Sequence, residues 1–117
     1  IPDELRQQGW FVGAQAYTFK EFTAFEAIAK TKQAGGNVIE FFPGQRLKPD
    51  SEVKVHHTMP KVAMDQLLAE CKRLGVHPVN YGVVGANSRD EVKSIMSFAK
   101  KMGLYSVCTE STEQVIA

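Results

Sequence analysis

The chain has 117 residues, of which 44% are hydrophobic and 23% are charged. These values predict a single globular domain over residues 1–117 and argue against intrinsic disorder. The net charge of +1, with no block of like charge, argues against a nucleic-acid partner. No apolar run approaches the roughly 20 residues that cross a bilayer, so we expect no membrane partner. The two cysteines are too few for a disulfide framework.

The first residue is Ile1 rather than methionine. Removal of a signal peptide would explain this start, and so would trimming of the chain. The sequence therefore leaves the location open between the cytoplasm and export, for example to a periplasm.

Three segments carry apolar residues at helical spacing, and each has a start signal and a stop signal. Thr23 with Glu26 has the spacing of a capping box, and Gly35 ends that first segment. In the second segment, Pro60 suits an early helical position and Gly75 ends the pattern. We therefore predict a helix in each of these two segments.

The third helix is predicted to begin with a second capping-box pair, Ser88 and Glu91, and to end at Gly103. Its apolar positions recur at the helical period, which predicts that they face the core. They are Val92, Ile95, Met96, Ala99 and Met102. Farther along, Ser111 with Gln114 predicts the start of a fourth helix.

Short apolar segments precede and follow the helices, at residues 11–17, 37–42, 77–84 and 104–109. They are mostly apolar rather than alternating, which is typical of parallel strands covered on both faces. The resulting strand-then-helix order predicts an α/β fold with right-handed crossovers and a parallel sheet. Residues 43–58 form one long loop after the second strand, and long loops in compact domains tend to be functional.

Two architectures fit four such βα units: an open, doubly wound sheet, or the first half of an eight-fold barrel. No glycine-rich phosphate loop follows any predicted strand, which weakens the nucleotide-binding forms of the open sheet. The sequence stops inside the predicted fourth helix, and we therefore expect it to be a fragment of a longer chain.

Four stretches of the sequence carry a family resemblance: GWFVGAQAYTF at 9–19, AGGNVIEFF at 34–42, LGVHPVNY at 74–81 and KMGLYSV at 101–107. In this order and spacing they resemble the first four strands of the xylose-isomerase-like TIM barrels. That family contains sugar phosphate isomerases and epimerases, inosose dehydratases and the endonuclease IV branch. The resemblance implies a (β/α)8 TIM barrel of which this chain covers about the first four βα units.

The resemblance also implies an activity. Members of the family use a divalent metal (Mn, Mg, Zn or Co) to move a proton next to a carbonyl of a sugar or polyol. The chain would then be the amino-terminal part of a sugar (phosphate) isomerase, an epimerase or a related lyase. The family's metal ligands lie mainly on strands five to eight, so we expect none of them in this chain.

A different class of function also fits the pattern. The alternative is a non-catalytic, flavodoxin-like α/β module that binds a ligand or a partner protein. In either case the sequence is compatible with a homo-oligomer.

Two acids are predicted as catalytic residues because strand ends face the mouth of a barrel. Glu40 interrupts the apolar run 38–42, and a buried carboxylate is costly unless it is paired or bound. Its structural alternative is an ion pair with an Arg or Lys. Glu110 ends the fourth predicted strand, and its alternative is a solvated acid before a helix N-terminus.

Substrate contacts are predicted at strand ends and in the long loop, where neutral polar groups and aromatic rings suit a polyol. The predicted contacts are Gln15, Tyr17, Phe42, His57, Asn80 and Tyr81. For His57 and its neighbour His56, the competing interpretation is an ordinary surface histidine. His77 is predicted to be structural. Cys71 is predicted to be a core residue, and Cys108 to lie on a buried strand without a nucleophilic role.

Overall fold

The structure is a computed structural model that describes residues 1–111. Four strands alternate with three α-helices: β1 Gly13–Gln15, α1 Ala24–Gln33, β2 Val38–Phe41, α2 Lys61–Leu74, β3 His77–Val84, α3 Arg89–Met102 and β4 Ser106–Thr109. Two short 3₁₀ helices span Asp3–Leu5 and Ala16–Phe19. The predicted α/β fold is therefore confirmed. The predicted fourth helix lies outside the described residues. No helix in the described range is long and apolar enough to cross a membrane.

The four strands form one parallel sheet in the order β1-β2-β3-β4. Right-handed crossovers between strands in this order put every helix on the same face of the sheet. Accordingly, one core cluster joins Ile28 of α1, Leu67 of α2 and Phe98 of α3 to Phe41 and Tyr81 of the sheet. A flavodoxin-like sheet has the order 2-1-3-4-5, so that topology is wrong for the described strands.

The helix boundaries follow from local chemistry. The Glu26 N–H donates to Thr23 Oγ1 at 3.3 Å, and the Thr23 N–H donates to Glu26 Oε1 at 3.0 Å, which completes the predicted capping box. At α3 the pair is only half formed. The Glu91 N–H donates to Ser88 Oγ at 3.1 Å, but the Glu91 carboxylate accepts from the Asn87 N–H instead.

The strands are shorter than predicted, and their coverage differs. Residues 16–19 form a 3₁₀ helix rather than the end of the first strand, so Tyr17 lies beyond β1. The prediction that both faces are covered is wrong for β4, three of whose four residues are exposed. The reason is that β4 lies at the edge of the described strands, where the three described helices give it little cover. Met96, predicted to be buried, is 55% exposed because the buried stripe of α3 runs through Ile95 and Phe98 instead.

The long loop between β2 and α2, which we call the 42–60 loop, is packed rather than loose. Leu47 and Val55 are fully buried. The Ala24 N–H donates to the Arg46 carbonyl at 2.7 Å, and the Phe25 N–H donates to the Leu47 carbonyl at 3.0 Å. The loop thus supplies partners for N–H groups in the first turn of α1, which a helix cannot satisfy internally.

Candidate functional site

A row of polar side chains crosses the sheet on the face opposite the helices. Successive side chains of a strand point to opposite faces, so Glu40 faces away from the core while Ile39 and Phe41 enter it. Gln15 pairs with Glu40 across β1 and β2, and Glu40 pairs with Asn80 across β2 and β3. We call the following set the polar row: Gln15, Glu40, Asn80, Ser106 and Cys108.

Hydrogen bonds link the members of the polar row. The Asn80 side-chain amide donates to Glu40 Oε2, and also to Cys108 Sγ at 3.3 Å. The Asn80 Oδ1 atom accepts from the Ser106 hydroxyl at 3.0 Å. At the other end, the Gln15 amide donates to the Gly82 carbonyl at 3.1 Å. Side chains from β1, β3 and β4 therefore lie around the carboxylate that β2 supplies.

The environment of Glu40 favours its protonated form. Burial raises the pKa of the Glu40 carboxyl, and hydrogen bonding to Cys108 and Gln15 acts in the opposite direction with smaller effect. A raised pKa moves a carboxyl toward the range in which it can both give and take a proton. The structural alternative predicted for Glu40, an ion pair with Arg or Lys, does not occur among residues 1–111.

Two adjoining cavities lie over the polar row and its carboxyl-terminal side. One, of about 320 Å³, lies over β1, β2 and β3 and is lined by Gln15, Glu40 and Asn80 among others. The second, of about 350 Å³, is lined by Gln15, Tyr17 and Phe42. The rings of Tyr17 and Phe42 meet edge to face, with centroids 5.1 Å apart. We call the two cavities together the groove. It contains five of the predicted site residues.

Two predicted substrate contacts lie on the other side of the sheet. Tyr81 is fully buried, and its ring packs on Phe98 with centroids 4.7 Å apart. Its hydroxyl lies 3.1 Å from His57 Nδ1, and His57 Nε2 lies 3.5 Å from Glu91 Oε2. The prediction that Tyr81 and His57 contact substrate is therefore not supported, and the surface interpretation of His57 is wrong. The His57 ring stacks on His56 at 3.9 Å.

The second predicted acid lies apart from the first. Glu110 is exposed and follows the last residue of β4. Within residues 1–111, no hydrogen bond or ion pair joins it to the polar row. Its catalytic role stays a prediction that rests on its place after a strand end.

Sequence reasoning missed two members of the polar row, Ser106 and Cys108. Counting back from Glu110 with a period of two gives both positions, so the alternation of β4 could have indicated them. Cys108 was predicted to lie on a buried strand and is exposed, because β4 lies at the edge of the described strands and none of the described helices covers its outer face. Cys71 is buried in the core, as predicted.

The described residues do not form a metal centre on their own. Residues 1–111 bring together no three His, Cys, Asp or Glu side chains that could hold a metal ion. The polar row supplies one carboxylate and one thiol, the other members being amides and a hydroxyl, which is too few strong ligands for a divalent cation.

Comparisons with known proteins bear on the fold. No protein-family model matches the chain, and no curated protein does. A solved structure of an uncharacterized protein from Parabacteroides distasonis ATCC 8503 is similar, with a TM-score of 0.83 and 30% sequence identity. The similarity covers 88% of this chain and 44% of that chain, so this chain spans less than half the length of the protein it matches.

Proposed function

We propose that the chain is the amino-terminal half of a xylose-isomerase-like TIM barrel that isomerises or epimerises a sugar or sugar phosphate, or acts as a related lyase. In this proposal Glu40 moves a proton next to a carbonyl of the substrate. The observation that carries the proposal is the polar row: a carboxyl with a raised pKa, held by amides, faces an open groove on the uncovered side of a parallel sheet.

The strand order supports the barrel. Consecutive parallel strands with every helix on one face are the pattern of a TIM barrel, whereas doubly wound sheets carry helices on both faces. A barrel has eight such strands, and the polar row would then face its interior. The similar protein from Parabacteroides distasonis is more than twice as long as the matched region. Its remaining length leaves room for four further units.

The groove has the chemistry that a polyol requires. The amide oxygens of Gln15 and Asn80 can accept hydrogen bonds from hydroxyl groups, and the rings of Tyr17 and Phe42 offer apolar surface to C–H groups. Glu40 lies beside the amides, where a carboxyl can accept a proton from a carbon next to a carbonyl and return it to a neighbouring atom.

The divalent metal of the family enters the proposal only through the resemblance. The family pattern assigns its ligands to strands beyond this chain, so no residue described above is given a part in holding it. A bound metal would polarise the carbonyl and hydroxyl oxygens of the substrate. The steps assigned to this chain are binding of hydroxyl groups and proton transfer at Glu40.

The test uses the full-length protein in deuterated water with a panel of aldoses, ketoses and their phosphates, in the presence of Mn²⁺, Mg²⁺, Zn²⁺ or Co²⁺. We expect metal-dependent deuterium uptake at the carbon next to the carbonyl, measured by mass spectrometry. Glu40→Gln should lower the exchange rate by about a hundredfold or more, since it removes a general acid–base group. Glu52→Gln is the matched control, because Glu52 is an exposed loop carboxylate outside the groove.

Two results would contradict the proposal: absence of exchange across the whole panel with every metal, or a Glu40→Gln variant as active as the control. Absence of exchange combined with ligand binding in the groove would favour the non-catalytic binding module instead.

A further inference from the structure

Asn80 uses both ends of its side-chain amide within the polar row. Its nitrogen donates to the Glu40 carboxylate and to Cys108 Sγ. Its oxygen accepts from the Ser106 hydroxyl. An asparagine amide has two donor hydrogens and one acceptor oxygen, so each end is matched to the partner it meets.

The orientation of this amide is set by its neighbours. Turned by half a rotation, it would place its oxygen against the Glu40 carboxylate, and two acceptors would then face each other. In the observed orientation the Ser106 hydroxyl donates to the amide oxygen, which leaves the amide hydrogens free to face Glu40. Ser106 therefore acts on Glu40 through Asn80, without touching it.

An irregularity in strand pairing brings Asn80 to this position. Ile39 pairs with Pro78, but the next residue of β2, Glu40, pairs with Asn80, so Val79 is the extra residue of a bulge on β3. Without it, Glu40 would lie opposite Val79. Bulges re-aim side chains and are frequent next to functional sites.

We propose that Asn80, held by Ser106, is a positioning residue that fixes the orientation of the Glu40 carboxylate in the groove. Asn80 donates to the carboxylate in its ionised form and so keeps more of Glu40 ionised, the form that can accept a proton, than its partly buried setting would otherwise allow. The chemical use of this orientation rests on the proposed function, but the hydrogen-bond chain itself does not.

The test is a pH titration of the Glu40 side-chain carboxyl by carbon NMR, in the full-length protein and in its Ser106→Ala variant. Loss of the Ser106 hydroxyl removes the donor to Asn80 Oδ1, so the amide is held at one end only and its hydrogen bond to the ionised carboxylate is weakened. We expect the titration midpoint of Glu40 to move upward by roughly half to one pH unit, because a hydrogen bond to an ionised group favours that form. The neighbours of Glu40 in the row are the amides of Gln15 and Asn80 and the thiol of Cys108. That thiol is therefore titrated in parallel.

Two further variants separate positioning from a general effect on the fold. Ser106→Thr keeps the hydroxyl and should restore the wild-type midpoint. Ser97→Ala removes an exposed serine hydroxyl from α3 and should leave the midpoint unchanged. As a second measurement, the Asn80 side-chain amide protons should exchange with solvent faster in Ser106→Ala than in Ser97→Ala, because the amide is then held at one end only.

An unchanged Glu40 midpoint in Ser106→Ala, or a midpoint that Ser106→Thr fails to restore, would overturn the proposal. Neither result depends on any sugar. If Ser106→Ala shifts the midpoint while the full-length protein exchanges no substrate proton, the positioning role stands and the proposed function fails. If substrate exchange occurs and the midpoint does not move, the proposed function stands and the positioning role fails.

Discussion

Replacing Tyr81 with phenylalanine removes one oxygen atom from the buried contact between β3 and the 42–60 loop. Tyr81 is fully buried, and the side chain of His57 is 2% exposed, so water cannot replace the lost partner. Burial raises the pKa of Tyr81 far above its usual range, which keeps its hydroxyl protonated as a donor. With the imidazole proton on Nε2, that hydroxyl donates to His57 Nδ1 and the Nε2–H faces Glu91.

The expected cost of Tyr81→Phe is about 2 kcal/mol of unfolding free energy. Removing one partner of a buried hydrogen bond leaves the ring nitrogen unsatisfied, and such a loss costs about 1–3 kcal/mol. Small domains lose about 1–3 kcal/mol of stability per molar urea. The urea midpoint should therefore fall by about 1 M at unchanged slope, as followed by circular dichroism at mildly alkaline pH.

The matched control is Tyr105→Phe, because Tyr105 is 52% exposed. That variant should unfold at the wild-type urea midpoint. In a His57→Leu background the hydroxyl has no imidazole to bind, so Tyr81→Phe should cost much less than in the wild type. Equal midpoints for the two phenylalanine variants, or a full cost in the His57→Leu background, would refute the reasoning.

Three further predictions test other parts of the fold. Burial lowers the pKa of His57 in the folded chain, whereas an unfolded histidine has a pKa of about 6.5. Below that pH the unfolded state therefore binds more protons than the folded state does. The free energy of unfolding should fall as the solution is acidified from about pH 7.5. Urea midpoints of His57→Leu should show a flatter fall, and a slope equal to wild type would contradict this. A methyl group on Gly82 would lie 2.7 Å from Cys108 Cβ, whereas one on Gly85 meets nothing within 4 Å. Gly82→Ala should therefore lower the free energy of unfolding by about 1–3 kcal/mol more than Gly85→Ala does, as measured by thermal or urea unfolding. Equal losses in the two variants would refute this prediction. Burial raises the pKa of the Cys71 thiol to about 12, while Cys108 is exposed. A thiol reagent should therefore label one cysteine in the native chain and two in denaturant, as counted by mass spectrometry. Rapid labelling of Cys71 in the native chain would contradict the described core.

The helices were predictable because their signals are local. The Thr23 cap lies at the start of α1, and Gly75 and Gly103 adopt the left-handed conformation directly after α2 and α3, with φ of 70° and 71°. Such signals act within one turn of the chain and need no tertiary partner. The catalytic prediction for Glu40 rested on a similar local fact, an acid inside an apolar run, and the structure finds that acid beside a groove.

The neighbouring residues Asn80 and Tyr81 show what the sequence could not supply. Both were predicted to contact substrate, yet one faces the groove and the other is in the core. Which of them faces the helices depends on the bulge at Val79, and a bulge arises from pairing with another strand. His57 likewise becomes buried only because Tyr81 and Glu91, far along the chain, enclose it.

The 42–60 loop has a consequence for engineering. Its two ends are anchored, one by carbonyls that serve α1 and the other by His57 against β3, while its tip at Pro49 and Asp50 is exposed. Exposed tips between fixed ends are where inserted sequence is best tolerated. A fluorophore-bearing peptide or an affinity tag placed between Pro49 and Asp50 would therefore be carried by the protein without loosening the scaffold.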